Sequence, residues 1–155
     1  MLEIYLNDHL AGATAARELV RRAAGSNRGT AYGPFLERLA GEIDEDRESL
    51  LEVMKALGAG TDRLKLAAGW GAEKLGRLKL NGRLLGYSPL SRVVELEGLA
   101  LGVSGKLALW RGLRALAPHE PRLGGFDLEA LIARAERQLD ELESHRLLAT
   151  AEAFA

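Results

Sequence analysis

SPLSRVVELEGLALGVSGKLALWRGL (residues 88–113) decides the fold class. Ser88-Pro89 is a helix-start signal, with serine able to cap and proline suited to the first helical position. From there apolar residues recur at Val93, Leu96, Ala100, Val103, Leu107, Trp110 and Leu113. Steps that alternate three and four make one helical stripe, whereas a strand would need period two. The helix is long enough for a bundle, so its stripe needs partner helices.

Four more segments show the same periodicity. A first helix runs from Leu2 to Ala24, with a seam at Leu2, Leu6, His9, Ala13, Ala16, Val20 and Ala23. Gly25 to Gly29 turns the chain. A second helix starts at Gly33-Pro34, carries Leu36, Leu39, Ile43, Asp46, Leu50, Val53 and Leu57, and stops at Gly58 and Gly60. A third is capped by Thr61 and reaches Gly86 at the latest, with Leu64, Ala68, Gly71, Leu75 and Leu78 on one face. Residues 88–113 make the fourth. Asp127 caps a fifth, which turns Leu128, Ile132, Ala135, Leu139, Leu142, Ala149 and Ala153 inward. The first, second, fourth and fifth are each about 35–45 Å long at 1.5 Å per residue. Two hairpins joined by a crossover predict an all-α, ferritin-like four-helix bundle with a fifth crossover helix. A five-helix up-and-down bundle is the alternative. Residues 1–155 are expected to form a single helical-bundle domain.

Composition narrows function by exclusion. Hydrophobic residues make up 47% and charged residues 28%, with a formal net charge of -1. That balance is globular, and the absence of net positive charge makes nucleic acid an unexpected partner. There is no cysteine, which removes disulfides, thiolate catalysis and iron–sulfur clusters. The uncharged run between Glu97 and Lys106 is only eight residues, and a membrane span needs about 20. Met1-Leu2-Glu3-Ile4 has no basic region leading into an apolar run, so no export signal is expected and the default location is cytoplasmic.

Three stretches carry a resemblance: Tyr5 to Ala13 (YLNDHLAGA), Glu73 to Lys79 (EKLGRLK), and Glu97 to Val103 (EGLALGV) followed by Gly105-Lys106-Leu107. Through them the chain resembles a family of uncharacterised short helical bacterial proteins of ferritin-like shape. The resemblance covers nearly the whole chain. It implies the bundle and implies no activity, cofactor or site residue.

A ferritin-like bundle raises the question of a carboxylate-bridged metal pair, which needs Glu-x-x-His on two helices. Here Leu6, Leu116 and Leu142 stand three residues before His9, His119 and His145. The motif is absent, so neither a metal nor another cofactor is expected. Polar residues do interrupt the seams. If the first turn centres near Arg28, antiparallel pairing puts His9 opposite Asp46. If the last centres near Pro121 or Arg122, Glu97 falls opposite His145, with Arg146 beside it. Two polar pairs that fix helix register are the expected reading, and a ligand or acid–base site is the alternative. If the third helix reverses direction, the two pairs fall in different halves of the bundle, and one metal could not gather all four residues.

Glycines in the fourth helix are the second anomaly. Gly98, Gly102, Gly105 and Gly112 each cost about 1 kcal/mol relative to alanine. Close helix packing, a homodimer seam or room for an apolar ligand would offset them, and Gly69, Gly71 and Gly76 pose the same question in the third helix. Charge divides too. The second helix is acidic, while the third carries Arg63, Lys65, Lys74, Arg77, Lys79 and Arg83. Complementarity between neighbouring helices is the simpler reading, and a basic strip for an anionic partner is the other. Apparent nucleotide and hydrolase motifs fail on detail: Ala100 replaces the first glycine of a phosphate loop, and Ser104 lacks the Gly-x-Ser-x-Gly spacing. The sequence therefore favours a non-catalytic helical binding or interaction module. A ferritin-like metal-binding oxidoreductase or storage protein with a non-standard site comes next, and a binder of a small apolar ligand third.

Overall fold

The computed structural model describes residues 1–62 and 87–155. Four long helices account for most of them: α1 (Leu2–Ser26), α2 (Gly33–Ala56), α3 (Pro89–Leu116) and α4 (Leu128–Phe154). Two short 3₁₀ turns, Ala117–His119 and Pro121–Leu123, link α3 to α4. No strand occurs among the described residues, and no helix there is long and apolar enough to cross a membrane. The predicted third helix falls on residues 63–86, outside the described residues, as do Gly69, Trp70, Gly71, Gly76 and the basic strip.

The predicted start and stop signals act as chemistry requires. Ser88 Oγ accepts the Ser91 N–H at 3.1 Å, and Asp127 Oδ1 accepts the Ala130 N–H at 2.9 Å, each filling a vacant first-turn donor. At the end of α2, Gly58 takes φ +70° and the Ala59 N–H reaches back to the Met54 carbonyl at 2.9 Å, a left-handed glycine termination. One boundary differs from the sequence reading. α1 continues through Gly25 to Ser26, because Asn27 closes it with a backbone N–H to the Ala23 carbonyl at 3.0 Å.

Packing follows the stripes. Every predicted seam residue of α2 is buried, Asp46 included. α1 packs against α2 and α3, and α3 against α4. Side-chain contacts give the directions. Arg22 meets Glu95 at 3.0 Å while Tyr5 lies near Gly112, so α3 runs antiparallel to α1. Phe35 meets His145 at 3.9 Å between centroids while Glu45 meets Arg134 at 2.8 Å, so α4 runs antiparallel to α2. Hence α2 and α3 are parallel, and α1 and α4 share the opposite direction.

Two buried asparagines hold the ends of the described segments. Near the start of α1, Asn7 Nδ2 donates to the Gly60 carbonyl at 2.8 Å and Oδ1 accepts the Asp62 N–H at 2.6 Å. At the opposite end, Asn27 is fully buried. Its Nδ2 donates to Ala23 O at 2.8 Å and Tyr87 Oη at 2.7 Å, and its Oδ1 accepts Arg92 Nε–H at 2.7 Å. The chain thus leaves α2 at one end of the bundle and enters α3 at the other. Gly33 belongs to the same corner, because a Cβ there would sit 2.9 Å from the Asn27 carbonyl oxygen.

Asn27→Ala removes three side-chain hydrogen bonds at once, to the Ala23 carbonyl, Tyr87 Oη and Arg92 Nε–H. We expect a stability loss of roughly 2–4 kcal/mol in urea unfolding, against about 0.5 kcal/mol or less for the exposed Ser144→Ala. Equal effects would contradict the clamp.

Candidate functional site

Asp46 projects from α2 into the centre of the bundle and is only 3% exposed. A carboxylate taken that far from water needs charged or donor partners. It has them on two other helices. Lys106 of α3 donates its ammonium to Asp46 Oδ2 and to Gln138 Oε1 of α4. Arg134 of α4 brings Nη2 to 2.6 Å from Asp46 Oδ1, an ion pair without hydrogen-bond alignment. Gln138, itself buried, passes the network on by donating Nε2 to Glu42 Oε2 at 2.7 Å, and Arg134 Nη1 also holds Glu45 at 2.8 Å. The acidic face of α2 is therefore neutralised by α3 and α4, and by α1, where Arg17 and Arg21 grip Asp44 at 2.7 and 2.6 Å. Burial is the largest influence on Lys106 and lowers its pKa; Asp46 opposes that shift by stabilising the ammonium, and Arg134 reinforces it.

Beside this network, between α1, α2 and α3, lies a cavity of about 180 Å³. Gly12, Ala13 and Ala16 line it from α1, and Gly102 and Gly105 from α3. Three of the four glycines singled out in α3 have separate tasks. A Cβ on Gly98 would meet Leu19 Cδ2 at 3.1 Å, so its absence lets α1 approach. Gly102 faces Ala16 Cβ at a comfortable 3.6 Å. Gly105 faces open space among the described residues: apart from its own stretch of helix, none of their atoms lies within 4 Å of where its Cβ would be. Asp46, Lys106, Arg47 and Trp110 complete the polar side of the cavity. The Trp110 side chain is fully buried, and its Nε1–H has no acceptor among the described residues; Arg47 Nε is also buried without one. Two other concavities, at Glu3 and Gly60–Asp62 and at Ser49 and Phe126, are more open to solvent.

The four polar seam residues divide. His9 and Asp46 both line the cavity. They are not bonded to each other, because Asp46 is held by Lys106, Arg134 and Gln138. His9 instead lies edge-on to Tyr5 at 4.6 Å, and its pKa falls below the ordinary 6.5 because burial penalises the cation more than Asp8 favours it. Glu97 and His145 likewise do not pair. The His145 ring stacks on Phe35 and its Nδ1 lies 2.8 Å from the Glu141 carbonyl, while Glu97 faces Arg146 at 3.8 Å. No group of three or more metal-ligating side chains occurs among the described residues. Sequence reasoning missed Lys106, Gln138 and Arg134. Their signal was available: Lys106 falls one residue before the stripe position Leu107, and Gln138 between Ala135 and Leu142.

No family model matches this chain, and no curated protein or solved structure matches it significantly.

Removing one partner of a buried ion pair strands the other. Asp46→Leu and Lys106→Met should each cost roughly 3–5 kcal/mol, and the double variant should lose less than their total by about 0.5–3 kcal/mol. A fully additive urea-denaturation cycle would dismiss the pair. His9 gives a pH signature of the opposite kind from an ion pair. Its folded pKa lies below 6.5, so the unfolded chain binds more protons as pH falls. Stability is complete above pH 6.5 and declines as pH drops through the folded pKa. His9→Gln should flatten the stability profile just below pH 6.5, and an unchanged slope there would contradict the assignment.

Proposed function

We propose that this chain is a non-catalytic binding module on a ferritin-like arrangement of helices, and that it binds a small molecule in the cavity between α1, α2 and α3. The parallel course of α2 and α3, with exit and entry at opposite bundle ends, supports the ferritin-like arrangement. The observation that carries the binding reading is Gly105. A helix-interior glycine costs about 1 kcal/mol relative to alanine, and here no packing contact with the described residues accounts for it, since its missing side chain faces the cavity. Space kept at the expense of stability is a mark of a site rather than of a core.

Two features favour this over the metal-binding reading. The buried carboxylate at the bundle centre is already engaged by Lys106 and Arg134, side-chain cations in the position a metal ion would need. The histidines do not converge, since His9 lines the cavity while His145 stacks on Phe35, and neither His145 nor Phe35 lines it. Nor do the described residues suggest a nucleophile and base acting together: Ser104 Oγ donates to the Ala100 carbonyl at 2.8 Å.

Gly105→Ala should raise stability by about 1 kcal/mol, because the methyl group meets none of the described residues. Gly105→Leu should fill the cavity. Benzene, which enters an apolar cavity of comparable volume in another protein, should shift amide resonances of Gly12, Ala13 and Val103 in the wild type and not in Gly105→Leu. Identical spectra with and without benzene in the wild type would sink the binding reading.

A further inference from the structure

The polar groups around the cavity are unequal in kind, and that inequality says what a ligand should carry. Trp110 Nε1–H is a donor with no acceptor among the described residues, on a side chain that is 0% exposed. Arg47 Nε–H is a second buried donor without one. Lys106 is a third: its ammonium has three N–H groups, and Asp46 and Gln138 take two. Lys106 and Trp110 are four residues apart on α3, so they share one face and sit one turn apart. On the acceptor side, Asp46 Oδ2 is bonded, and Oδ1 already lies against the Arg134 guanidinium at 2.6 Å. Donors are in surplus. Buried donors left unmade are costly, and an acceptor delivered into the site recovers that cost.

From this surplus, and resting on the binding reading above, we infer that the ligand is a small monocarboxylate: an apolar body held by the glycine and alanine wall, with its carboxylate turned toward Lys106, Trp110 and Arg47. Charge agrees with the donors. Lys106 and Arg47 line the cavity as cations; of the two lining carboxylates, Asp46 shares its charge with Lys106 and Arg134, and Asp8 belongs to an exposed residue. An amine would meet the same cations, and the one buried carboxylate oxygen without an aligned hydrogen bond, Asp46 Oδ1, is already covered by the Arg134 guanidinium. Size agrees as well. About 180 Å³ admits a single ring or a short branched chain rather than a long acyl tail or a nucleotide.

Benzoate, benzene and benzylamine test the head group on one body. Titrated into the full chain and followed by amide and indole NMR, benzoate should bind at least about tenfold tighter than benzene, the gain expected of one hydrogen bond to a charged group. Benzylamine should bind more weakly than either. The indole N–H signal of Trp110, told apart from that of Trp70 with a Trp70→Phe variant, should move downfield with benzoate and stay in place with benzene. This readout uses the unaltered site, so it holds even if Trp110→Phe fails to fold. Where Arg47→Met folds, it should reduce the benzoate preference several-fold and leave benzene binding alone. Benzene binding with equal or weaker benzoate binding overturns the carboxylate inference while the cavity reading stands. If neither probe binds, both readings fall.

Discussion

Lys106 and Asp46 meet across the centre of the bundle, and the helices are placed around that contact. Each is expensive to bury alone. Together with Arg134 and Gln138 they tie α2, α3 and α4 at one level, and only one register of the three helices lets them meet. An apolar seam tolerates a shift of one turn, since leucine replaces leucine. A lysine that must find one carboxylate does not. The network therefore specifies the bundle more than it stabilises it, and the stability comes from the leucine-rich layers on either side.

The same contact shapes the cavity. Lys106 reaches inward from α3, leaving the α1-facing side of that helix to Gly98, Gly102 and Gly105. The first two let α1 come close through Leu19 and Ala16. At Gly105 the described residues leave a space beside the charged network, lined by small residues of α1 and α3 and, among others, by Lys106, Arg47 and Trp110. Asn7 and Asn27 fix the two bundle ends, so the cavity lies between held boundaries rather than in a fraying region. A site on rigid helices keeps its geometry better than one on loops.

Much of this was legible in the sequence. Caps at Ser88 and Asp127 and the glycine stop at Gly58 are local events, readable without knowing what packs where. The α2 seam was legible because hydrophobic periodicity reports burial directly, and it marked Asp46 as a polar residue in a core position. The partner of Asp46 was not. Hairpin arithmetic compares only helices adjacent in sequence, so it offered His9, while the carboxylate is satisfied from α3 and α4, some sixty and ninety residues away. Lys106 also reads as a surface residue by type; its long stem crosses the seam, a reach that periodicity cannot score. His145 failed for a different reason: its ring stacks on Phe35, and aromatic stacking leaves no charge pattern to find. The glycines were recognised as anomalous, but only neighbours in space separate Gly98, which admits α1, from Gly105, which borders a void.

The most direct test is the lysine itself. In a ¹⁵N NMR spectrum of the full chain, a buried and doubly bonded Lys106 ammonium should give a resolved Nζ signal. Its protons should exchange slowly with water, and the signal should be lost in Asp46→Asn. Lys106 Nζ protons exchanging as fast as those of surface lysines, unaffected by the change at Asp46, would contradict the account at its centre.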